Sequence, residues 1–108
     1  MSQILLNAAS TTGAGAAWNP RDTSAVATYV QHSFQASGLT TASTGAATVL
    51  IQVSNDGVNY ITLGTITLTL GTSVTSDGFA VANSYEYYRA NLSAISGTGA
   101  LVTVNMKG

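Results

Sequence analysis

The chain alternates apolar and polar residues with a period of two over most of its length. Thr65 to Leu70 sets Ile66, Leu68 and Leu70 on one face and threonines on the other. Ala47 to Ser54 sets Ala47, Val49, Ile51 and Val53 on one face, with Thr48, Leu50, Gln52 and Ser54 opposite. Leu101 to Met106 turns Val102, Val104 and Met106 inward, and Glu86 to Ala94 separates Tyr88, Ala90 and Leu92 from Tyr87, Arg89, Asn91 and Ser93. Val26 to Ala36 adds a longer strand anchored by Val30 and Phe34, and Gly78 to Ala82 a short one. No stretch carries the i, i+3, i+4, i+7 spacing of an amphipathic helix, and Thr and β-branched residues dominate.

The breaks between these runs carry turn chemistry. Asn55-Asp56-Gly57 sits between two strands and reads as a hairpin, because these residues accept the positive φ of tight turns. Asp77-Gly78 reads as a second turn. Ser43-Thr44-Gly45-Ala46 and Gly97-Thr98-Gly99-Ala100 read as two similar corners before Val-rich strands, Ser10 to Gly15 as a flexible stretch, and Trp18 to Asp22 as a loop. The whole reads as all-β: a single antiparallel β-sandwich of jelly-roll type over 1–108, with seven to nine short strands and 1–15 as an N-terminal arm. The predicted core is Val49, Ile51, Val53, Ile66, Leu68, Leu92, Val102 and Val104. In the arm, Ile4, Leu5 and Leu6 are consecutive, so a regular strand there would show apolar side chains on both faces and invite a neighbouring chain.

Composition narrows the function. The 108 residues include only seven charged ones, 6%, with a net charge of −1, where an ordinary domain has about 25%. A surface with so little charge has little protection against association, so much of it is expected to be covered in the working state. Three basic residues neutralise few phosphates, which argues against direct nucleic-acid binding. No cysteine is present, which removes disulfides and thiolate metal sites. Met1-Ser2-Gln3 has no basic side chain and Ile4-Leu5-Leu6 is too short for a signal core, so the expectation is synthesis in the cytoplasm with no membrane insertion.

Candidate chemistry is sparse. His32, the one histidine, lies inside a strand and reads as a packed strand residue rather than a catalytic base. Asp56 and Asp77 each precede a glycine and read as turn residues, Asp22 lies beside Arg21, and Glu86 alone opens a strand, so no facing carboxylate pair is expected. One histidine does not make a transition-metal site, and Gly13, Gly15, Gly97 and Gly99 are loop glycines with no phosphate-binding context. Asn91-Leu92-Ser93 reads as a chance sequon. The expectation is a protein that is not an enzyme and holds no cofactor or metal. What remains is a surface: Trp18 beside Pro20 and Arg21, and Tyr85, Tyr87 and Tyr88 next to Arg89. Tyr and Arg suit interfaces because they bury large area and keep a polar tip. The same tyrosines read equally as caps on the core edge, with Arg89 paired to Glu86 or a backbone carbonyl. The candidate interface is Ile4, Leu5, Leu6, Trp18, Arg21, Tyr85, Tyr87 and Arg89.

Leu5-Leu6-Asn7-Ala8 followed by Thr12-Gly13-Ala14-Gly15 resembles the opening of small structural proteins of tailed bacteriophages. So does Val53-Ser54-Asn55-Asp56-Gly57-Val58-Asn59-Tyr60, and Tyr88 to Ala100 followed by Val102-Thr103-Val104 is similar to their final hairpin. The S-x-D-G-x-N-aromatic turn also resembles discoidin-like, galactose-binding jelly rolls, with Tyr60 in place of the usual Trp. The resemblance implies a capsid decoration (cement) protein at the capsid surface of the virion, self-associating as a homotrimer and bound to the major capsid protein. The alternative it implies is a carbohydrate-binding module at a tail tip or fibre, stacking sugars on Trp18 or on Tyr85 to Tyr88.

Overall fold

The computed structural model describes residues 2–15, 17, 31–42, 44–82 and 85–107. Eight strands follow one another: β1 (Ser2–Ala9), β2 (Gly13–Ala14), β3 (Gln31–Leu39), β4 (Gly45–Ser54), β5 (Ile61–Leu70), β6 (Thr75–Ala82), β7 (Tyr87–Ser96) and β8 (Leu101–Lys107). They form two four-stranded antiparallel sheets, ordered β1-β8-β3-β6 and β2-β7-β4-β5. Four of the pairings are nested: β4 with β5, β3 with β6, β2 with β7 and β1 with β8. The chain is therefore one long hairpin with its apex between β4 and β5. It rolls up so that β3 also meets β8 and β4 also meets β7. That is the jelly-roll arrangement of a β-sandwich.

The inner faces are those of the alternation. Val49, Ile51, Val53, Ala90, Leu92, Val102 and Val104 are fully buried and Ile66 and Leu68 nearly so. All eight predicted core residues are buried, and Phe34, Leu70, Tyr88 and Met106 join them. Phe34 from one sheet meets Tyr88 from the other at 6.0 Å between ring centroids, and His32 packs on Tyr88 at 4.8 Å with the rings tilted by 53°. His32 is buried among aromatic rings, inside the sandwich rather than at a cleft. Of the strand read over Val26 to Ala36, Gln31 onward forms β3; Val26 to Val30 lie outside the described residues. One end of the sandwich is tied by hydroxyls. The carbonyl of Thr98 accepts from the N–H of Thr41 at 2.9 Å and from the hydroxyls of Thr40 at 2.6 Å and Thr41 at 2.7 Å. The Thr40 N–H donates to Gly71 at 2.8 Å. Buried Thr40 thus joins three connections, β3–β4, β5–β6 and β7–β8, with its polar atoms satisfied.

Three expectations need correction. Asp77-Gly78 is not a turn: it lies within β6, paired to Ala36 and Gln35 of β3. The glycine is there because the Phe34 carbonyl occupies the space a Cβ would need. Ser10 to Gly15 is not a loose tether, since Gly13 and Ala14 pair with Leu92 and Asn91 and the Gly15 N–H donates to Ala90 at 2.8 Å. And the N-terminal arm is a strand of the domain's own sheet. Ile4 lies opposite Asn105 and Leu6 opposite Val104, so Leu5 is one residue too many and forms a bulge. The bulge turns two consecutive leucines to the same side: Leu5 is 4% and Leu6 9% exposed, while Ile4 remains 53% exposed. A second irregularity follows at Ala8, whose φ is 49° and whose N–H is taken by the Thr103 hydroxyl at 3.0 Å. Of the three arm residues expected at an interface, Leu5 and Leu6 are core residues because the bulge breaks the alternation on which that expectation rested.

Leu5→Ala and Leu6→Ala should accordingly each cost about 2–5 kcal/mol in chemical denaturation of the isolated protein. Removal of residues 1–7 should abolish the cooperative unfolding transition rather than yield a folded domain; a truncated chain of full stability would show that β1 contributes nothing to the core.

Candidate functional site

The chain reverses at Asn55 to Tyr60, between β4 and β5, and the reversal is organised by one carboxylate. Asp56 Oδ1 accepts from the Val58 and Asn59 N–H groups, both at 2.8 Å, and from the Ser54 hydroxyl at 2.7 Å. Its Oδ2 accepts from Asn59 Nδ2 at 3.0 Å. The Ser54 oxygen in turn accepts from the N–H groups of Asp56 at 3.1 Å and Gly57 at 2.9 Å. Each residue type of S-x-D-G-x-N has a stated task here: a hydroxyl that both gives and accepts, a carboxylate that gathers loop amides, and a side-chain amide that closes the far oxygen. Gly57 adopts φ 75°, and a Cβ there would press on the Tyr87 ring at 3.2 Å. The Asn59 and Val58 amides, and then the two side chains, hold the Asp56 carboxyl well below its ordinary value of 3.8. A carboxylate spent this fully on its own loop is a turn device rather than a general acid or a cation ligand.

Beside this turn lies a cluster on the outer face of the β2-β7-β4-β5 sheet. The register sets Gln52 directly opposite Arg89, and Arg89 Nε donates to Gln52 Oε1 at 2.8 Å. The guanidinium lies over the Tyr60 ring, 3.8 Å from its centroid, a contact worth about 0.5–1 kcal/mol at a surface. Tyr87 shares this face, its ring against Gly57. The Glu86 N–H donates to Asn55 Oδ1 at 3.2 Å, stitching the entry of β7 to the turn. The result is a half-buried patch of two aromatic rings and one cation held flat by stacking. It can cover an apolar or ring-shaped surface and present charge-assisted donors beside it.

The eight candidate residues separate. Tyr87 and Arg89 share the outer face, as alternation implies, and Arg89 is engaged by Gln52 and Tyr60 rather than by Glu86 or a carbonyl. Tyr85 leaves the cluster: it packs against the core, and its N–H donates to the Tyr88 hydroxyl at 3.0 Å. Ile4 belongs to the other sheet, so it does not extend this patch. Leu5 and Leu6 are buried, and Trp18 and Arg21 lie outside the described residues. Gln52 and Tyr60 were not singled out as site residues. Tyr60 was visible as the aromatic end of the turn motif, whereas the Gln52–Arg89 pair depends on a register between strands 37 residues apart. Among the described residues no group of three or more His, Cys, Asp or Glu could hold a metal ion. No family model, curated protein or solved structure matches the chain.

The depressed Asp56 carboxyl fixes the sign of a pH effect. Below its ordinary value the unfolded chain binds the proton that the folded turn resists, so the turn's stabilisation is present above 3.8 and is lost as pH falls from there. Asp56→Asn should lower the melting temperature near neutral pH, and the gap to the parent should close on acidification through that window. A gap that is constant with pH would show that the carboxylate charge is not what holds the turn.

Proposed function

We propose that the chain is a structural protein of a tailed-bacteriophage virion: a capsid decoration protein that binds the major capsid protein between its subunits, as a homotrimer, at the outer surface of the head. The observation that carries this reading is the dressing of the outer strand faces. On β3 and β8 these are Ser33, Gln35 and Ser37 beside Thr103, Asn105 and Lys107, and β6 adds Ser76, Gly78 and Ala80. On β5, Thr65, Thr67 and Thr69 stand exposed. Apart from Lys107, Gly78 and Ala80, hydroxyls and amides take the places that Lys and Glu fill on most solvent-facing strands. Such faces can be covered by a neighbour without removing ions from water, and they repel other copies weakly. The resemblance of the opening, the turn and the final hairpin to small phage structural proteins supports the same reading.

A second reading, a carbohydrate-binding module at a tail tip or fibre, is favoured by one feature: the Tyr87 and Tyr60 rings held at the apex of the long hairpin by Gly57 and Arg89. Copy number separates the two. In a gel of purified virions a decoration protein runs at a stoichiometry comparable with the major capsid subunit, and a tail-tip module at a few copies per particle. For the decoration protein, binding to bare capsids should change little between low and high ionic strength, because few ion pairs are there to be screened. A steep loss of binding on adding salt would overturn that account of the interface.

A further inference from the structure

The sequence holds two Asp-Gly dipeptides, Asp56-Gly57 and Asp77-Gly78. Such a dipeptide is chemically labile, because the glycine nitrogen meets no Cβ when it approaches the preceding side-chain carboxyl. Both are exposed, and they differ in how their polar groups are bonded. In β6, Asp77 and Gly78 are both exposed, and β6 is the last strand of its sheet among the described residues. The Gly78 N–H donates to Asp77 Oδ1, at 2.8 Å. The nitrogen therefore rests beside the carboxyl group whose carbon it can attack. At Asp56 both carboxylate oxygens are held by other donors, and the Gly57 N–H is turned to the Ser54 hydroxyl at 2.9 Å.

We infer that Asp77-Gly78 is a site of spontaneous backbone modification to isoaspartate, and that the fold protects Asp56-Gly57 from the same reaction. The Gly78 nitrogen bonds to Asp77 Cγ and a carboxyl C–O bond breaks. The oxygen leaves as water with the carboxyl proton and the amide proton, closing a succinimide. Water then adds back at one of the two ring carbonyls. Opening at Cγ restores aspartate, and opening at the main-chain carbonyl carbon leaves the chain running through the Asp77 side chain. No other reactant is needed. The reaction draws on the protonated carboxyl, since the departing oxygen must leave as water. The amides that hold the Asp56 carboxyl in its charged form thus protect that site a second time.

The consequence lies in the register. Isoaspartate inserts a methylene into the β6 backbone immediately before Gly78, where the Phe34 carbonyl already fills the place of a Cβ. The pairs from Gly78–Gln35 to Ala82–Gln31 can then no longer stay in step with β3. The edge strand accordingly carries a built-in clock, and its product is the substrate class of isoaspartyl carboxyl methyltransferases.

The test is to age the folded protein for weeks in heavy-oxygen water near neutral pH, then map peptides for incorporated label and for methyl acceptance from such a methyltransferase. Label and methyl acceptance should rise in the Asp77 peptide and lag far behind in the Asp56 peptide. In denaturant the two peptides should gain label at matching rates, because the difference belongs to the fold. Asp77→Glu keeps the charge but cannot close the same ring, and should abolish the signal in that peptide. The inference is overturned if the folded protein labels both sites alike, if Asp56 leads, if the Glu variant still gains label there, or if Asp77 stays unlabelled over a time in which the denatured chain reacts.

Discussion

The turn that Asp56 holds at the apex of the long hairpin is the constraint on which the remaining structure depends. It sets Val53 opposite Ile61 and Gln52 opposite Thr62, and a one-residue shift at Ile51 then carries the pairing on to Gly45 opposite Leu70. In a strand a slip of one residue exchanges the two faces. The register of β4 decides that Val49, Ile51 and Val53 face the other sheet and that Gln52 faces out toward Arg89. Every other pairing in the nested series joins residues farther apart in sequence, so each is slower to close and is entropically dearer than the one before it. The β4–β5 pair is the place where local chemistry can set a register before the core exists to enforce it. A carboxylate bonded to the amides two and three residues ahead, with a serine hydroxyl closing the other side, supplies that chemistry within six residues of chain.

From that register the candidate site follows as a by-product of strand pairing. Arg89 is placed by being opposite Gln52, Tyr60 by ending the turn, and Tyr87 by the glycine that leaves room for its ring. The side chains that make the outer patch are thus anchored to the same element that sets the core. A substitution in the turn would disturb both, and a change in the patch alone should leave the core untouched. This coupling makes the patch rigid. An arginine already stacked and hydrogen-bonded has less side-chain freedom to lose when a partner covers it.

Much of this was legible in the chain and some was not, for physical reasons that differ by residue. Period-two alternation identified the inward residues of β4, β5, β7 and β8, because each of those strands has one face against the core and one outside. It misread β1, where a bulge sends Leu5 and Leu6 to the same side; adjacent leucines break the alternation, but only the partner strand decides between a bulge and a two-sided strand. It misread Asp77-Gly78 because the same dipeptide serves a turn and a close strand contact equally well, and only the position of the Phe34 carbonyl decides between them. Arg89 and Tyr87 were found from alternation within one strand. The pairing of Arg89 with Gln52 required a register between distant strands, which a single sequence does not carry.

The edges of the two sheets show how a chain with almost no charge restrains unwanted pairing. Lysines and prolines that commonly blunt an edge are nearly absent here, with one proline and one lysine in the chain. Among the described residues, geometry takes their place at three of the four edges: β1 carries two register breaks, β5 is broken where Ile51 passes to Gln52 on β4, and β2 is two residues long. The fourth edge, β6, pairs with β3 through eight residues without a break. It carries a single charge, Asp77, and that carboxylate sits on the Gly78 N–H. A neighbouring strand would have to displace the carboxylate before it could use that donor. The group that guards the edge is therefore also the group poised to react with it. Both properties come from one requirement, the glycine that β3 imposes at position 78.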